Sequence, residues 1–407
     1  MYLTPDRKTR GRRSFVRVAG GGADPGQLKQ EATVPHMPTG GPVRAGVIGV
    51  GGQGSTLLGH CLKQPDMIQI EAICDVNPAH RAQACQLVAE AKGKPIRQYE
   101  DWQEMAHKEE LEVVIVATPL WTHADITVGF LDAGVHVLCE KMMAYDIPGC
   151  QRMVDASLRN HRLLEIGYPR FYEPLYQSVY RNIIQRRALG DIHFVRLHTH
   201  RNSSWRRSEN PPSPGYTPQR WGYPTWDALA NWRMYRRYSQ GLVGELGSHQ
   251  TSLAEWYLGS TARTVYGTGG IFCYKDGREV DDHIFMTYGH PGGCTVELSV
   301  ILSNDYGGLF EEFIGSQGTL IVSDIDGGML FLNDDEPVVR ESTKKGADLP
   351  WSPDWNLAFG NEIWKFCSAV RHGTPLLCGP QRALASAVSA LAGNQAVATK
   401  EHVDIAK

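Results

Sequence analysis

Six residues constrain this chain more than any others. The short apolar run 44–50 (RAGVIGV) leads into Gly49-Val50-Gly51-Gly52-Gln53-Gly54, a G-x-G-x-x-G, and residues 55–63 are predicted as a helix stopped by Pro65. The first glycine allows a tight turn. The second lets backbone approach a pyrophosphate. The third allows close packing of helix on strand. The helix N-terminus then offers unpaired N–H groups to phosphate oxygens. The motif alone is weak evidence, but between a strand and a helix it has the context its mechanism requires. A second strand, 67–74 (MIQIEAIC), ends at Asp75. An acid there accepts hydrogen bonds from the adenosine ribose and repels a 2′-phosphate, which favours NAD over NADP, with Arg81 nearby as the contrary feature.

Strand and helix patterns keep alternating. Residues 77–92 read as a helix that Gly93 stops, Asp101 can cap a short helix, and 112–118 (EVVIVAT) reads as a buried strand. Residues 121–133 read as a helix ended by Gly134, and 135–139 (VHVLC) as a further strand. Such alternation predicts an α/β, doubly wound parallel sheet of the Rossmann type. Ligands of these sheets bind beyond the carboxyl ends of the strands. Thr118-Pro119 and Glu140-Lys141 are therefore expected beside the nicotinamide, with His123 a further candidate.

Beyond residue 167 the pattern changes. A helix is expected at 174–188 and a strand at 192–200. Further strands are expected at 262–267, 283–288, 294–302, 311–314 and 319–322. Closely spaced strands predict a C-terminal α+β domain with a large, mostly antiparallel sheet. The expected division is a basic, flexible arm over 1–43, an NAD-binding domain over 44–167, and a substrate-binding and oligomerisation domain over 168–407.

These features resemble the glucose–fructose oxidoreductase / inositol dehydrogenase (Gfo/Idh/MocA) family over about residues 44–400. The resemblance is carried by the glycine loop, Asp75, Thr118-Pro119 with His123, Cys139-Glu140-Lys141, and Gly244-Glu245-Leu246-Gly247-Ser248-His249. It implies a nicotinamide-dependent dehydrogenase, a carbohydrate substrate, and a homodimer or homotetramer that uses the free face of the second sheet. Three positions depart from the family pattern. Met142 replaces the proline after Lys141, Glu245 stands for an Asp, and Ser252 for another.

Hydride removal from an alcohol needs a base for the hydroxyl proton. Lys141 is one candidate. Its free pKa of about 10.4 must fall to about 7 through burial and the nicotinamide's positive charge, a change worth about 4 kcal/mol. His249 is the other. Residues 241–257 read as a helix, and Glu245 one turn before His249 is expected to orient it and raise its basicity. Which of the two takes the proton stays open at this stage. Tyr168, Arg170, Trp232 and Arg233 are substrate candidates. Residues 201–238 interleave four tryptophans and four tyrosines with arginines. A saccharide subsite, with aromatic faces on sugar C–H surfaces, competes there with a self-packed loop or an oligomer contact.

The expected reaction is hydride transfer between a sugar or glycoside ring hydroxyl, C3 foremost, and NAD. The alternatives are a redox-neutral glycosidase working by oxidation and elimination, and a non-enzymatic NAD-binding regulator. A net charge of -3 gives no global field for nucleic acid. No apolar run approaches the roughly 20 residues that span a bilayer. Nine cysteines without a C-x-x-C pair predict neither a zinc site nor a disulfide framework, and Cys74 and Cys139 read as small buried hydrophobes. The string Arg12-Arg13-Ser14-Phe15-Val16-Arg17 resembles a twin-arginine export signal, but glycines and Asp24-Pro25 follow where an apolar segment belongs. The expectation is therefore cytoplasmic, with export the alternative.

Overall fold

The computed structural model describes residues 3–19, 40–208, 210–213, 215–333 and 353–405. β1 (Val43–Ile48), β2 (Ile68–Cys74), β3 (Arg97–Tyr99), β4 (Val113–Val116), β5 (His136–Glu140) and β6 (Leu164–Gly167) form one sheet, ordered β3-β2-β1-β4-β5-β6. Every pairing in it is parallel. All four β4 side chains are buried, because helices cover both faces of the sheet. The chain runs outward from β1 to β3 and then jumps back to β4. The cleft opens at that reversal, between the carboxyl ends of β1 and β4.

The helices end where their residues dictate. Asn77 caps Pro78–Lys92 by accepting from the Ala79 N–H, and Gly93 ends it in the left-handed region at φ 69°. Asp101 caps Trp102–Lys108 through the Gln103 N–H. The expected helix at 121–133 begins as a 3-10 turn, Leu120–Thr122, and becomes α-helical over His123–Asp132. Cys74 and Cys139 are buried, at 3% and 0% exposure. The sequence pattern assigned no element to Trp355–His372, yet this helix packs Ile363, Phe366 and Cys367 into the core of the first sheet with Leu57 and Leu58. Residues far beyond 167 thus complete the first core.

The second sheet holds β7 (Ile192–His200), β8 (Thr264–Gly270), β9 (His283–Gly289), β10 (Thr295–Ile301), β11 (Leu309–Gly315), β12 (Gly318–Ser323), β13 (Gly327–Leu332) and β14 (Val403–Asp404). Its order is β13-β12-β11-β7-β10-β9-β8-β14, and β7–β10 is its one parallel pair. The expected helix at 174–188 is α-helical only over Pro174–Val179 and continues as a π turn, Tyr180–Ile184.

Residues 1–43 were expected as a flexible arm, and part of them is not. Pro5–Ala19 is a helix packed on β13. Phe15 is fully buried against Gly328, where any Cβ would collide with its ring, and Lys8 and Arg12 both reach Asp326, at 2.7 and 3.1 Å. The basic residues that suggested a loose arm instead bracket an apolar contact. Phe15→Leu should therefore lower stability by about 1 kcal/mol, read as a shift of the urea midpoint. Residues 1–2 and 20–39 of the expected arm lie outside the described residues.

Candidate active site

The glycine loop leaves β1 at Gly49, where a φ of +80°, and a Cβ position only 2.7 Å from the Ala117 carbonyl oxygen, exclude a side chain. A Cβ on Gly54 would overlap the Gly49 carbonyl, so the third glycine sets how closely the helix Gly52–Leu62 meets the strand. A Cβ on Gly51 would meet only the His80 ring, at 3.7 Å, and one on Gly52 only Arg207 Nη2, at 3.4 Å, so both glycines face the cleft with no backbone against them. Asp75 follows β2. Its Oδ2 accepts from the Val50 N–H at 2.7 Å and its Oδ1 from the Asn77 N–H at 2.8 Å. The carboxylate thus fixes the loop while each oxygen keeps a further lone pair. The Arg81 guanidinium is turned to the Asp75 backbone carbonyl.

One cavity of about 1350 Å³ runs from this loop into the second domain. Gly49, Gly51, Gly52, Gln53 and Asp75 line its cofactor half, and Thr118, Pro119, His123, Glu140 and Lys141 its middle. Arg170, Trp232, Arg233, Glu245 and His249 line the far end. Gly54 and Tyr168 do not line it. Tyr168 is fully buried behind His249, ring edge to ring face at 5.9 Å.

The reactive end is built by contacts between the two domains. Gln53 Nε2 donates to Glu140 Oε1 at 2.7 Å, tying the glycine loop to the end of β5. Burial pushes the Glu140 carboxyl up. Lys141 donates from Nζ to the Glu245 backbone carbonyl at 2.9 Å, and the Glu245 carboxylate lies 3.9 Å away. Burial pushes the Lys141 pKa below its ordinary value, against the opposing pull of Glu245 and Glu140. The Lys141–Met142 peptide is cis. His123 lies beneath it, with Nδ1 3.0 Å from the Met142 carbonyl and Nε2 2.9 Å from that of Thr118. Both ring nitrogens thus face backbone carbonyls, to one of which the neutral ring can donate, and His123 braces the lysine loop against the end of β4.

Glu245 does not orient His249. Its Oε2 accepts from Arg233 Nε at 2.8 Å and faces Lys141. Two cations outcompete a neutral imidazole for the carboxylate, and they hold its pKa below the ordinary value although burial acts to raise it. The expected single helix there is a π turn, Val243–Gly247, followed by an α-helix, Ser248–Leu258. Burial, and then the charges of Lys141, Arg170 and Arg201, push the His249 pKa far down. The ring is neutral, and its buried Nδ1 has no partner among the described residues. Ser252, which replaces an Asp of the family pattern, donates to the His249 carbonyl.

Arg170 lines the cavity, but its charge is spent. It pairs with Glu311 at 2.8 Å, with both side chains almost fully buried. Arg233 stacks on Trp232, 4.3 Å from the ring centroid. Several aromatics of 201–238 are used internally. Tyr223 and Tyr238 pack on each other at 4.6 Å, and Trp121 Nε1 donates to the Tyr223 hydroxyl. Sequence reasoning passed over Trp121, Arg201 and Asn231. Trp121 was within reach, since it follows Thr118-Pro119 at the end of a parallel strand.

The comparisons with known proteins agree with this architecture. The model of the GFO_IDH_MocA oxidoreductase family, NAD-binding Rossmann fold, matches residues 43–168, and that of the GFO/IDH/MocA C-terminal domain matches 179–321. An inositol 2-dehydrogenase of Salmonella typhimurium (strain LT2) is 33% identical over 151 residues, 36% of this chain and 43% of that protein. The chain thus spans less than half the length of that relative. The solved myo-inositol 2-dehydrogenase from Lactobacillus plantarum superposes with a TM-score of 0.70 at 17% identity, over 90% of this chain and 100% of that one. A levoglucosan dehydrogenase in complex with NADH and levoglucosan gives 0.70 at 18%, with the same coverage. Both halves are matched in order, and the chain belongs to the GFO/IDH/MocA family of NAD-binding oxidoreductases.

Proposed function

We propose that this protein is an NAD-dependent dehydrogenase of a ring hydroxyl on a sugar, glycoside or cyclitol, with C3 the position oxidised and Lys141 the base. The observation that carries the proposal is the meeting of Lys141 with the Glu245–His249 segment in one cavity, with the lysine's pKa pushed down by burial. The relatives named above act, by their names, on inositol or levoglucosan, which are polyhydroxylated rings.

The cleft fits a dinucleotide because its glycines leave a cradle that side chains would fill. Residues 49–54 would hold the pyrophosphate, Asp75 the adenosine ribose, and Thr118, Pro119 and Glu140 the nicotinamide end. The bound oxidised dinucleotide supplies the hydride acceptor. Lys141, in its neutral amine form, takes the hydroxyl proton. His249, neutral and a weak base, holds and orients the same hydroxyl through a hydrogen bond. Arg233 and Trp232 bear on the sugar ring, Arg233 while holding Glu245.

The first test mixes protein, NAD and a panel of monosaccharides, nitrophenyl glycosides and cyclitols. Absorbance follows reduced nicotinamide, and mass spectrometry identifies the keto product. Nitrophenol release without net reduction would replace this reading with the redox-neutral glycosidase. No turnover of any ring alcohol would return the chain to an NAD-binding regulator.

The pH profile tests the base. Oxidation needs the neutral amine, so kcat/KM rises with pH through the Lys141 pKa and levels above it. Because that pKa is lowered, the rising limb must lie below the ordinary 10.5. Glu245 raises the Lys141 pKa, so Glu245→Gln must move the limb to lower pH. A limb that stays put, or moves up, rejects Lys141 as the base.

A further inference from the structure

The glycine loop and its helix, residues 49–62, contain no lysine or arginine. A dinucleotide's pyrophosphate would therefore meet backbone N–H groups there but no cation from the loop itself. The second domain brings one to the spot. Arg207 Nη2 lies 3.4 Å from where a Gly52 Cβ would stand, on the cavity side of the helix N-terminus.

Arg207 is held there by built structure. Its N–H donates to Asn231 Oδ1 at 2.7 Å, and Asn231 Nδ2 donates back to its carbonyl at 3.2 Å. Asn231 is buried, at 4% exposure, and also donates to Asp227 Oδ1. The neighbouring Arg206 pairs with Asp227 and Asp276. This amide clamp fixes the backbone from which the guanidinium extends.

The same segment is tied down at further points around the cleft. The Tyr216 hydroxyl donates to the Val76 carbonyl at 2.9 Å, just past the end of β2. Arg220 lies 3.8 Å from Glu100, just past β3. Tyr223 accepts from Trp121, just past β4. Anchors after β2, β3 and β4 put the segment across the mouth of the cofactor half of the cavity.

We propose that the described residues of 201–238 form a strap over the dinucleotide, and that Arg207 contacts its pyrophosphate from the opposite domain and slows its release. This assigns to the cofactor a segment whose aromatic and arginine content pointed first to sugar. It rests on NAD binding alone and not on which alcohol is oxidised.

The test is binding, read without turnover. Cofactor release is timed by stopped-flow loss of NADH fluorescence on dilution into excess NAD. Equilibrium affinities for NADH, ADP and adenosine are measured by calorimetry. For Arg207→Ala the expected result is release faster by about 10- to 100-fold, with ADP affinity weakened by a similar factor, as for loss of a charge-assisted hydrogen bond. Adenosine affinity and the melting temperature of the cofactor-free protein should not change. Arg207→Lys should recover part of the loss. Tyr216→Phe, which removes the Val76 anchor and no charge, should speed release several-fold. Unchanged release and ADP affinity in Arg207→Ala would overturn the proposal, as would equal losses for ADP and adenosine.

Discussion

Replacing Lys141 with methionine should cut turnover of a ring alcohol by about 10²–10⁴-fold, the range for loss of a positioned general base. NADH affinity should stay within a few-fold of wild type. Methionine keeps most of the buried stem, so the loss would report the amine. Glu245 keeps its Arg233 partner at 2.8 Å, and no buried carboxylate is stranded. Single-turnover hydride transfer, followed by absorbance with NAD prebound, isolates the chemical step. His249→Asn keeps a hydrogen-bonding side chain and should cost less than Lys141→Met. If Lys141→Met turned over near the wild-type rate while His249→Asn did not, the two roles would be reversed.

Arg170→Met should destabilise the fold by about 3–5 kcal/mol, the usual cost of stranding one partner of a buried ion pair. Glu311 is fully buried and accepts from Arg170 and from the Tyr176 hydroxyl. The guanidinium also lies over the Trp355 ring, 5.2 Å from its centroid. The double variant Arg170→Met/Glu311→Leu removes both charges and should regain most of the loss, because the pair is offset by its own desolvation cost. Urea midpoints give both values. The double variant also separates support from substrate contact. Restored stability with unchanged KM for the sugar would make Arg170 a structural residue, and restored stability with a raised KM would make it a ligand.

What the sequence made legible was whatever a local pattern encodes. The glycine loop, Asp75, and the Thr118-Pro119 and Glu140-Lys141 strand ends stand where strand–helix alternation puts them. They needed no knowledge of distant residues. The second sheet's strands at 283–289 and 295–301 were visible for the same reason, through their alternation of buried and exposed side chains. The partner of Glu245 was not legible. An i, i+4 spacing shows that two side chains can meet, but not that Arg233 and Lys141 compete for the carboxylate from other elements. The strap was hidden likewise. Tryptophan, tyrosine and arginine serve sugar contact, internal packing and phosphate contact alike, and only the anchors at Val76, Glu100 and Trp121 separate these uses. The helix Trp355–His372 escaped because its role, closing the first core from the far end of the chain, has no local signature.

The helix Pro5–Ala19 bears on the fate of one edge of the second sheet. β13, Gly-Gly-Met-Leu-Phe-Leu, is the last strand of an eight-stranded sheet, an apolar edge of the kind that pairs with other chains. The helix lies against it, with Phe15 over Gly328 and two basic side chains on Asp326. The opposite edge, β14, is only two residues long and offers little to pair with. Loss of the first 19 residues by proteolysis would therefore uncover an edge strand and free Asp326, two residues from the Asp324 that lines the cavity. The damage would then show first as insoluble protein.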